Sequence, residues 1–372
     1  MRLATIRPRA GGEGRASEQC AVVLPSGPIL TIGALAGIAP AGLPDEIGRF
    51  GLADLLELDP ELGAIRHALE VADAAAIDAA SIDRAAVLFA APVPRPGKIV
   101  GVGYNYLEHV REQGRERPTR PVLFSMFANA VVGDGEPIRK PAGTHALDLE
   151  AELAVVIGRR ASRVSPDRAL QHVAGYMIAN DVTARDWQGQ ARALRDGEQG
   201  DGQWLRAKGS DTFLPLGPWL VTADELGDGR GLAVRSWRTA AAGAATSAAA
   251  NPAPNAATGR AAASAANSDR EPDAGRPFQM QDGNTADLLF GVAELIAIVS
   301  REVTLDPGDV IVTGTPSGVG VFREPPVFIE PGDLVRVEVE RIGSLTSPVT
   351  DENGHAPEGS PAARFLATAG KL

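Results

Sequence analysis

The apolar residues of this chain gather in short runs rich in Val, Ile and Leu, closed by Gly, Pro or a charged residue. Runs of this kind read as buried strands, because a helix would spread its apolar positions over about ten residues or more. Residues 99–103, 153–157, 219–222, 310–313 and 334–339 predict strands, and the run at 21–24 predicts another near the N-terminus. Two of them follow Pro-Gly-Asp turns, Pro307-Gly308-Asp309 and Pro331-Gly332-Asp333, where Pro and Gly suit the central turn positions. Helices are predicted at 52–58 and 62–76, split by Pro60, and at 288–299, with Asn284 and Thr285 as caps. Many short strands and few long helices make a mainly β chain with some α and curled sheets.

The pattern also divides the chain. Ala91-Pro92-Val93-Pro94-Arg95-Pro96-Gly97 sustains neither helix nor central strand, so residues 1–92 are expected to form a small leading α+β domain. A catalytic domain is expected over 98–349, with 350–372 as a C-terminal tail. Residues 239–276 are dominated by alanine and carry no large apolar side chain, and Pro252 and Pro254 interrupt them. With so little to bury, this stretch is expected to be a flexible insertion between two strands.

The 372 residues are 44% hydrophobic and 22% charged, ordinary for a soluble globular protein. A formal net charge of -11 argues against nucleic-acid binding, which needs a basic surplus to neutralise phosphates. The single cysteine, Cys20, suits a reducing cytoplasm. The first twenty residues lack a continuous apolar stretch, and the run at 288–299 is too short to span a membrane and contains Glu294. A soluble, cytoplasmic protein is expected.

The candidate chemistry begins with Asp148-Leu149-Glu150-Ala151-Glu152, which runs straight into the strand at 153–157. Alternation along an extended chain would point Asp148, Glu150 and Glu152 the same way. Carboxylates crowded beside a core strand repel one another and resist desolvation, and a hard divalent cation relieves both costs. Asp181, in Asn180-Asp181 after the apolar run at 173–179, offers a third carboxylate. Close behind it, Arg185 is a planar donor suited to a substrate carboxylate and Gln188 both donates and accepts. In Tyr104-Asn105-Tyr106-Leu107-Glu108-His109-Val110-Arg111-Glu112, helical spacing puts His109 and Glu112 on one face as a proton-transfer pair. Lys208 is placed to stabilise an oxyanion. Thr313-Gly314-Thr315-Pro316-Ser317-Gly318-Val319-Gly320 lacks the P-loop ending, so backbone N–H groups and Thr315 facing a carboxylate are more plausible than a nucleotide site.

Taken in order, these clusters resemble the fumarylacetoacetate hydrolase family, in the branch of bacterial 2-hydroxyhepta-2,4-diene-1,7-dioate isomerases and acylpyruvate hydrolases. The resemblance rests on Gly103-Tyr104-Asn105-Tyr106 with His109, the acids at 148–152, Asn180-Asp181 with Arg185 and Gln188, Lys208-Gly209-Ser210-Asp211-Thr212-Phe213, and residues 307–316. It implies a mixed β-roll catalytic domain, usually a homodimer, binding Mg2+ or Mn2+ and sometimes Ca2+. Carried over by motif, Glu150, Glu152 and Asp181 match the metal carboxylates, and Asp148 is not normally a ligand. His109 with Glu112 matches the dyad, and Arg185, Gln188, Lys208 and Thr315 match active-site contacts. Met126 stands where many relatives have lysine, and residues 189–202 are longer than the pattern expects.

The leading expectation is hydrolysis of a C–C bond in a 1,3-diketo or acylpyruvate-type acid through a metal-stabilised enolate. The nearest alternative keeps the site and changes the reaction, to isomerisation, decarboxylation or hydration of 2-oxo acids of aromatic catabolism. A silent binding protein of the same fold is the competing class, and a complete acid set with a dyad argues against it.

Overall fold

The computed structural model describes residues 1–9, 18–39, 43–242 and 274–369. The run at 153–157 lies in the strand Ala151–Ile157, every residue of which is buried. It pairs antiparallel with Val173–Asn180 on one side and Val310–Val312 on the other. Alternation splits its side chains between two cores. Leu153, Val155 and Ile157 enter one together with Leu295, Ile296 and Val299 of the helix Val292–Glu302. Ala154 and Val156 enter the other with Leu52, Leu55 and Leu56 of the helix Leu52–Leu58. Each fully buried Leu, Ile or Val contributes about 1.5–3 kcal/mol, and a slip of one residue would exchange the two faces, so both cores hold the register.

Among the described residues this sheet has 11 strands. Its main path runs from Ile29–Thr31 through Gln19–Val23, Arg2–Pro8, Leu214–Thr222, Val173–Asn180, Ala151–Ile157, Val310–Val312 and Ile99–Gly103 to Val122–Met126 at the far edge. The strand Arg2–Pro8 bonds Leu214–Thr222, so the leading segment extends the sheet that carries the acids. A second sheet of 5 strands orders Pro277–Asn284, Ala233–Thr239, Leu334–Val339, Gly343–Asp351 and Ile138–Lys140. These mixed sheets with short helices are the mainly β, partly α class expected from the sequence. The stretch expected as a tail carries the helix Pro361–Ala369, which buries Ala362 and Leu366.

Three local expectations change. The helix expected at 62–76 is two helices, Gly63–Val71 and Ala74–Ala80, because Asp73 accepts hydrogen bonds from Ala75 N and Ala76 N and starts a new one. The helix expected at 288–299 is Val292–Glu302 with Gly291 as its cap. Asn284 caps a 3-10 turn instead, and Asn105 bonds Leu289 N and Phe290 N, holding the intervening chain out of the helix. The acidic stripe is not one strand either. Asp148 ends the short strand Leu147–Asp148, paired with Thr183–Ala184, and the long strand restarts at Ala151. The interior of the alanine-rich stretch, residues 243–273, lies outside the described residues. Its flanking strands, Ala233–Thr239 and Pro277–Asn284, pair directly with Thr239 opposite Pro277. No helix among the described residues is long and apolar enough to cross a membrane.

Candidate active site

Antiparallel pairing assembles the acids. Ala151 stands opposite Asn180, so the residues just before and just after this pair, Glu150 and Asp181, meet at the sheet's end. Glu150 N donates to Asn180 Oδ1 at 3.0 Å, and Asp181 N donates to Glu150 O at 3.0 Å. Glu152 shares a strand face with Ala154 and Val156, which places its carboxylate at the mouth of a core. One carboxylate oxygen from each of Glu150, Glu152 and Asp181 lies within 4.8 Å of the others, and all three residues are buried.

Two cations enter this cluster. Lys208 ends the helix Trp204–Lys208 and its Nζ donates to Glu150 Oε2 at 2.8 Å, Asp181 Oδ2 at 2.6 Å and Thr183 Oγ1 at 2.8 Å. Arg185 opens the helical turn Arg185–Gln188; its Nε donates to Asp148 Oδ2 at 2.9 Å and its Nη1 to Gln188 Oε1 at 3.1 Å. Its Nη2 forms an ion pair with Glu150 Oε1 at 2.6 Å that lacks the alignment of a hydrogen bond. Asp148 is saturated differently, accepting from Leu149 N, Gly320 N and Val321 N as well as Arg185. It is a bracket for Arg185, set apart from the three converging acids.

The electrostatics follow from this packing. Burial works against the Glu150 charge, but Lys208 and Arg185 outweigh it and hold its carboxyl down to about 2. Burial, with repulsion from Asp181 and Glu150, pushes Glu152 well above the usual carboxylate range. Burial, opposed by Lys208 and reinforced by Glu150, raises Asp181 to about 6. Burial disfavours the Lys208 ammonium, yet Asp181 and Glu150 more than compensate and raise its pKa. Four buried carboxylates therefore face two buried cations, and Asp181 Oδ1 has no hydrogen-bond partner. A hard divalent cation fits this donor set: it takes oxygen ligands, balances the surplus charge and gives Asp181 Oδ1 a partner.

A second grouping, His145, Asp186 and Glu198, also converges. Its atoms are bound within the protein: Asp186 accepts from Thr144 Oγ1 and His145 N, His145 Nε2 faces Ala193 O, and Glu198 accepts from Arg195 N. We read it as a lock on the loop that follows Gln188.

The dyad stands beside the acids. His109 and Glu112 lie in the helix Leu107–Glu112, with Nδ1 2.6 Å from Glu112 Oε1. The glycine-rich loop does meet carboxylates, but they are the protein's own. Gly314 N donates to Glu152 Oε2 at 2.5 Å, Gly318 N to Glu112 Oε2 at 2.9 Å, and Gly320 N and Val321 N to Asp148. Thr315 reaches the pocket wall while its hydroxyl donates to Ala151 O at 2.9 Å and accepts from Gln281 Nε2. The structure thus brings His109, Glu112, Glu150, Glu152, Asp181, Arg185, Gln188, Lys208 and Thr315 around one pocket, with Glu112 behind His109.

Sequence reasoning passed over Gln113, Thr183, Phe124 and Trp204. Gln113 Nε2 lies 2.9 Å from His109 Nε2, the helical i, i+4 relation that could have been read beside the i, i+3 pair. Phe124 and Trp204 close the mouth with Tyr104: the Trp204 ring meets Phe124 edge-on at 5.3 Å and Tyr104 at 6.0 Å. Gly101 makes this possible, since a Cβ there would stand 2.2 Å from the Phe124 ring. Tyr104 adopts φ of 57°, the left-handed turn that carries the chain from strand to helix. The free space left is about 20 Å3, room for about one water.

Residues 98–350 match the family profile described as fumarylacetoacetate (FAA) hydrolase C-terminal. The chain is 37% identical over 307 residues to the mitochondrial oxaloacetate tautomerase fahd2 of Xenopus laevis, covering 80% of this chain and 82% of the relative. It is 40% identical over 268 residues to the mitochondrial oxaloacetate tautomerase FAHD2A of Homo sapiens, covering 72% of this chain and 71% of the relative. Among solved structures it is similar to the 5-carboxymethyl-2-hydroxymuconate delta-isomerase of Mycobacterium smegmatis, with a TM-score of 0.61, 29% identity and coverage of 94% and 99%. It is also similar to the fumarylacetoacetate hydrolase of Exiguobacterium antarcticum, with a TM-score of 0.64, 28% identity and coverage of 94% and 99%.

Proposed function

This chain belongs to the fumarylacetoacetate hydrolase family, and we propose that it is a divalent-metal-dependent enzyme that interconverts the enol and keto forms of a short 2-oxo diacid of the oxaloacetate class. The observation that carries the reading is the placement of His109, backed by Glu112, on the same pocket as three converging buried carboxylates. Glu150, Glu152 and Asp181 would hold Mg2+ or Mn2+ (Ca2+ being the third candidate), which when bound supplies Lewis-acid stabilisation of an enolate oxygen.

The protein's own groups do the rest. Glu112, fixed by Gly318 N, holds Nδ1 and leaves Nε2, beside the Gln113 amide, as the base. In the ketonising direction His109 takes the enol proton and returns it to carbon 3, and no water is consumed. Lys208 and Arg185, held by their carboxylate partners, keep positive potential against the substrate's oxygens. Gln188 and Thr315 complete the substrate wall. The aromatic mouth of Tyr104, Phe124 and Trp204 favours a short substrate and excludes solvent.

C–C hydrolysis of an acylpyruvate, the leading expectation from the sequence, remains the second reading because the same dyad could deprotonate water. Relatives at 37–40% identity named oxaloacetate tautomerases favour tautomerisation. We propose a cytoplasmic homodimer, and the exposed Val122, Leu123 and Phe127 at the sheet's edge are apolar surface that a second copy would cover. NMR of products from oxaloacetate and from an acylpyruvate separates the readings. Accelerated enol–keto exchange without cleavage supports the first; two acids released from the acylpyruvate, with no effect on oxaloacetate, would replace it by the second.

A further inference from the structure

We propose that Gln113 decides which reaction the dyad performs, by filling the place beside His109 Nε2 that a hydrolytic water would need; this rests on the enolate reading above. Both ring nitrogens of His109 are taken by its neighbours along the chain. Glu112 holds Nδ1, and the Gln113 amide nitrogen stands 2.9 Å from Nε2. Glu112 is an acceptor for an Nδ1 proton, and the amide nitrogen of Gln113 is a donor to an unprotonated Nε2. Turned over, the same amide presents its carbonyl to a protonated Nε2. Gln113 can therefore stay beside the ring through a full proton-transfer cycle.

The two candidate reactions differ in what must reach Nε2. In tautomerisation the enol O–H bond breaks, its proton passes to Nε2, the oxygen's electron pair reforms the carbonyl, and carbon 3 takes the proton back. One molecule enters the pocket. Hydrolysis consumes water: its proton goes to Nε2, its oxygen bonds the distal carbonyl carbon, and the C–C electron pair leaves with the enolate carbon and is then protonated. That water must stand against Nε2 while the substrate fills the pocket. Gln113 lines the same pocket, beside His109. The reacting atom of a substrate can displace the amide from Nε2 while the side chain still occupies the space beside the ring. A hydrolytic water would have to take that space from the Gln113 side chain.

The test compares wild type with Gln113→Ala, which opens room for water, and Gln113→Met, which keeps the volume without the amide. Each full-length enzyme, supplied with Mg2+, is assayed for decay of enol oxaloacetate and for cleavage of acetylpyruvate to acetate and pyruvate by NMR. The ratio of cleavage to tautomerisation is expected to rise at least about 10-fold in Gln113→Ala and to stay within about twofold of wild type in Gln113→Met. A purely structural role would lower both rates together and leave the ratio unmoved. An unmoved ratio in Gln113→Ala, or an equal rise in Gln113→Met, overturns the inference while wild-type tautomerisation still stands. Wild type that cleaves acetylpyruvate and leaves enol oxaloacetate untouched overturns the reading and the inference together. If Gln113→Ala is insoluble, Gln113→Ser gives the same comparison.

Discussion

Asp148 and Glu150 stand two positions apart and do different work. Asp148 accepts four hydrogen bonds, from Leu149 N, Gly320 N, Val321 N and Arg185 Nε, so its lone pairs are committed to the frame. Asp148→Ala should leave Arg185 and two loop N–H groups short of a partner and cost about 3–5 kcal/mol, read as a lower urea midpoint. A loss below about 1 kcal/mol would contradict its role as a bracket. Asp181 and Glu152 predict a pH effect. Both are raised above unfolded values near about 4, so the metal-free folded state holds more protons there than the unfolded state. This pair's contribution to stability therefore falls as pH rises from about 4 to beyond 6. A divalent cation binds the ionised forms, so its stabilising effect should grow from about pH 5 to about pH 8. Melting temperatures with and without Mg2+ check this, and an identical metal-induced rise at both pH values contradicts it. At the dyad, His109→Asn and Glu112→Gln should each lower turnover by about 10²- to 10⁴-fold with the melting temperature nearly unchanged. Retained turnover in both would remove the dyad from the mechanism.

At the scale of elements, what could be read from sequence was what depends on local pattern. The apolar run at 153–157 and the Asn180-Asp181 exit pointed to the acid cluster, since in an antiparallel pair the start of one strand lies beside the end of the other. Destinations of loops were not legible. Residues 313–320 looked like an anion loop for a ligand, and only the tertiary fold shows that N–H groups of Gly314, Gly318 and Gly320 go to Glu152, Glu112 and Asp148. The start of the helix Val292–Glu302 was equally hidden, because it is set by Asn105 from elsewhere in the chain. Around the alanine-rich stretch the strands meet without help, Thr239 opposite Pro277 and Gly275 N bonded to Ala240 O. Replacing residues 243–273 by a short Gly-Ser link should therefore leave turnover within about twofold and the fold intact. Loss of soluble protein on that deletion would contradict the expectation that the insertion is dispensable.

For the molecule as a whole, two cores on opposite faces of one strand fix a sheet whose end must carry four carboxylates and two cations. A divalent cation would settle the charge of this site. The central claim is that this acid cluster holds a metal that the reaction needs. The most direct measurement strips the enzyme with chelator, titrates Mg2+ or Mn2+ back, and follows decay of the enol absorbance of oxaloacetate for wild type and Glu150→Ala. The account predicts that decay slows to the uncatalysed rate on stripping, recovers with metal in wild type, and does not recover in Glu150→Ala. Stripped wild type as fast as the reloaded enzyme, or full recovery in Glu150→Ala, would contradict it.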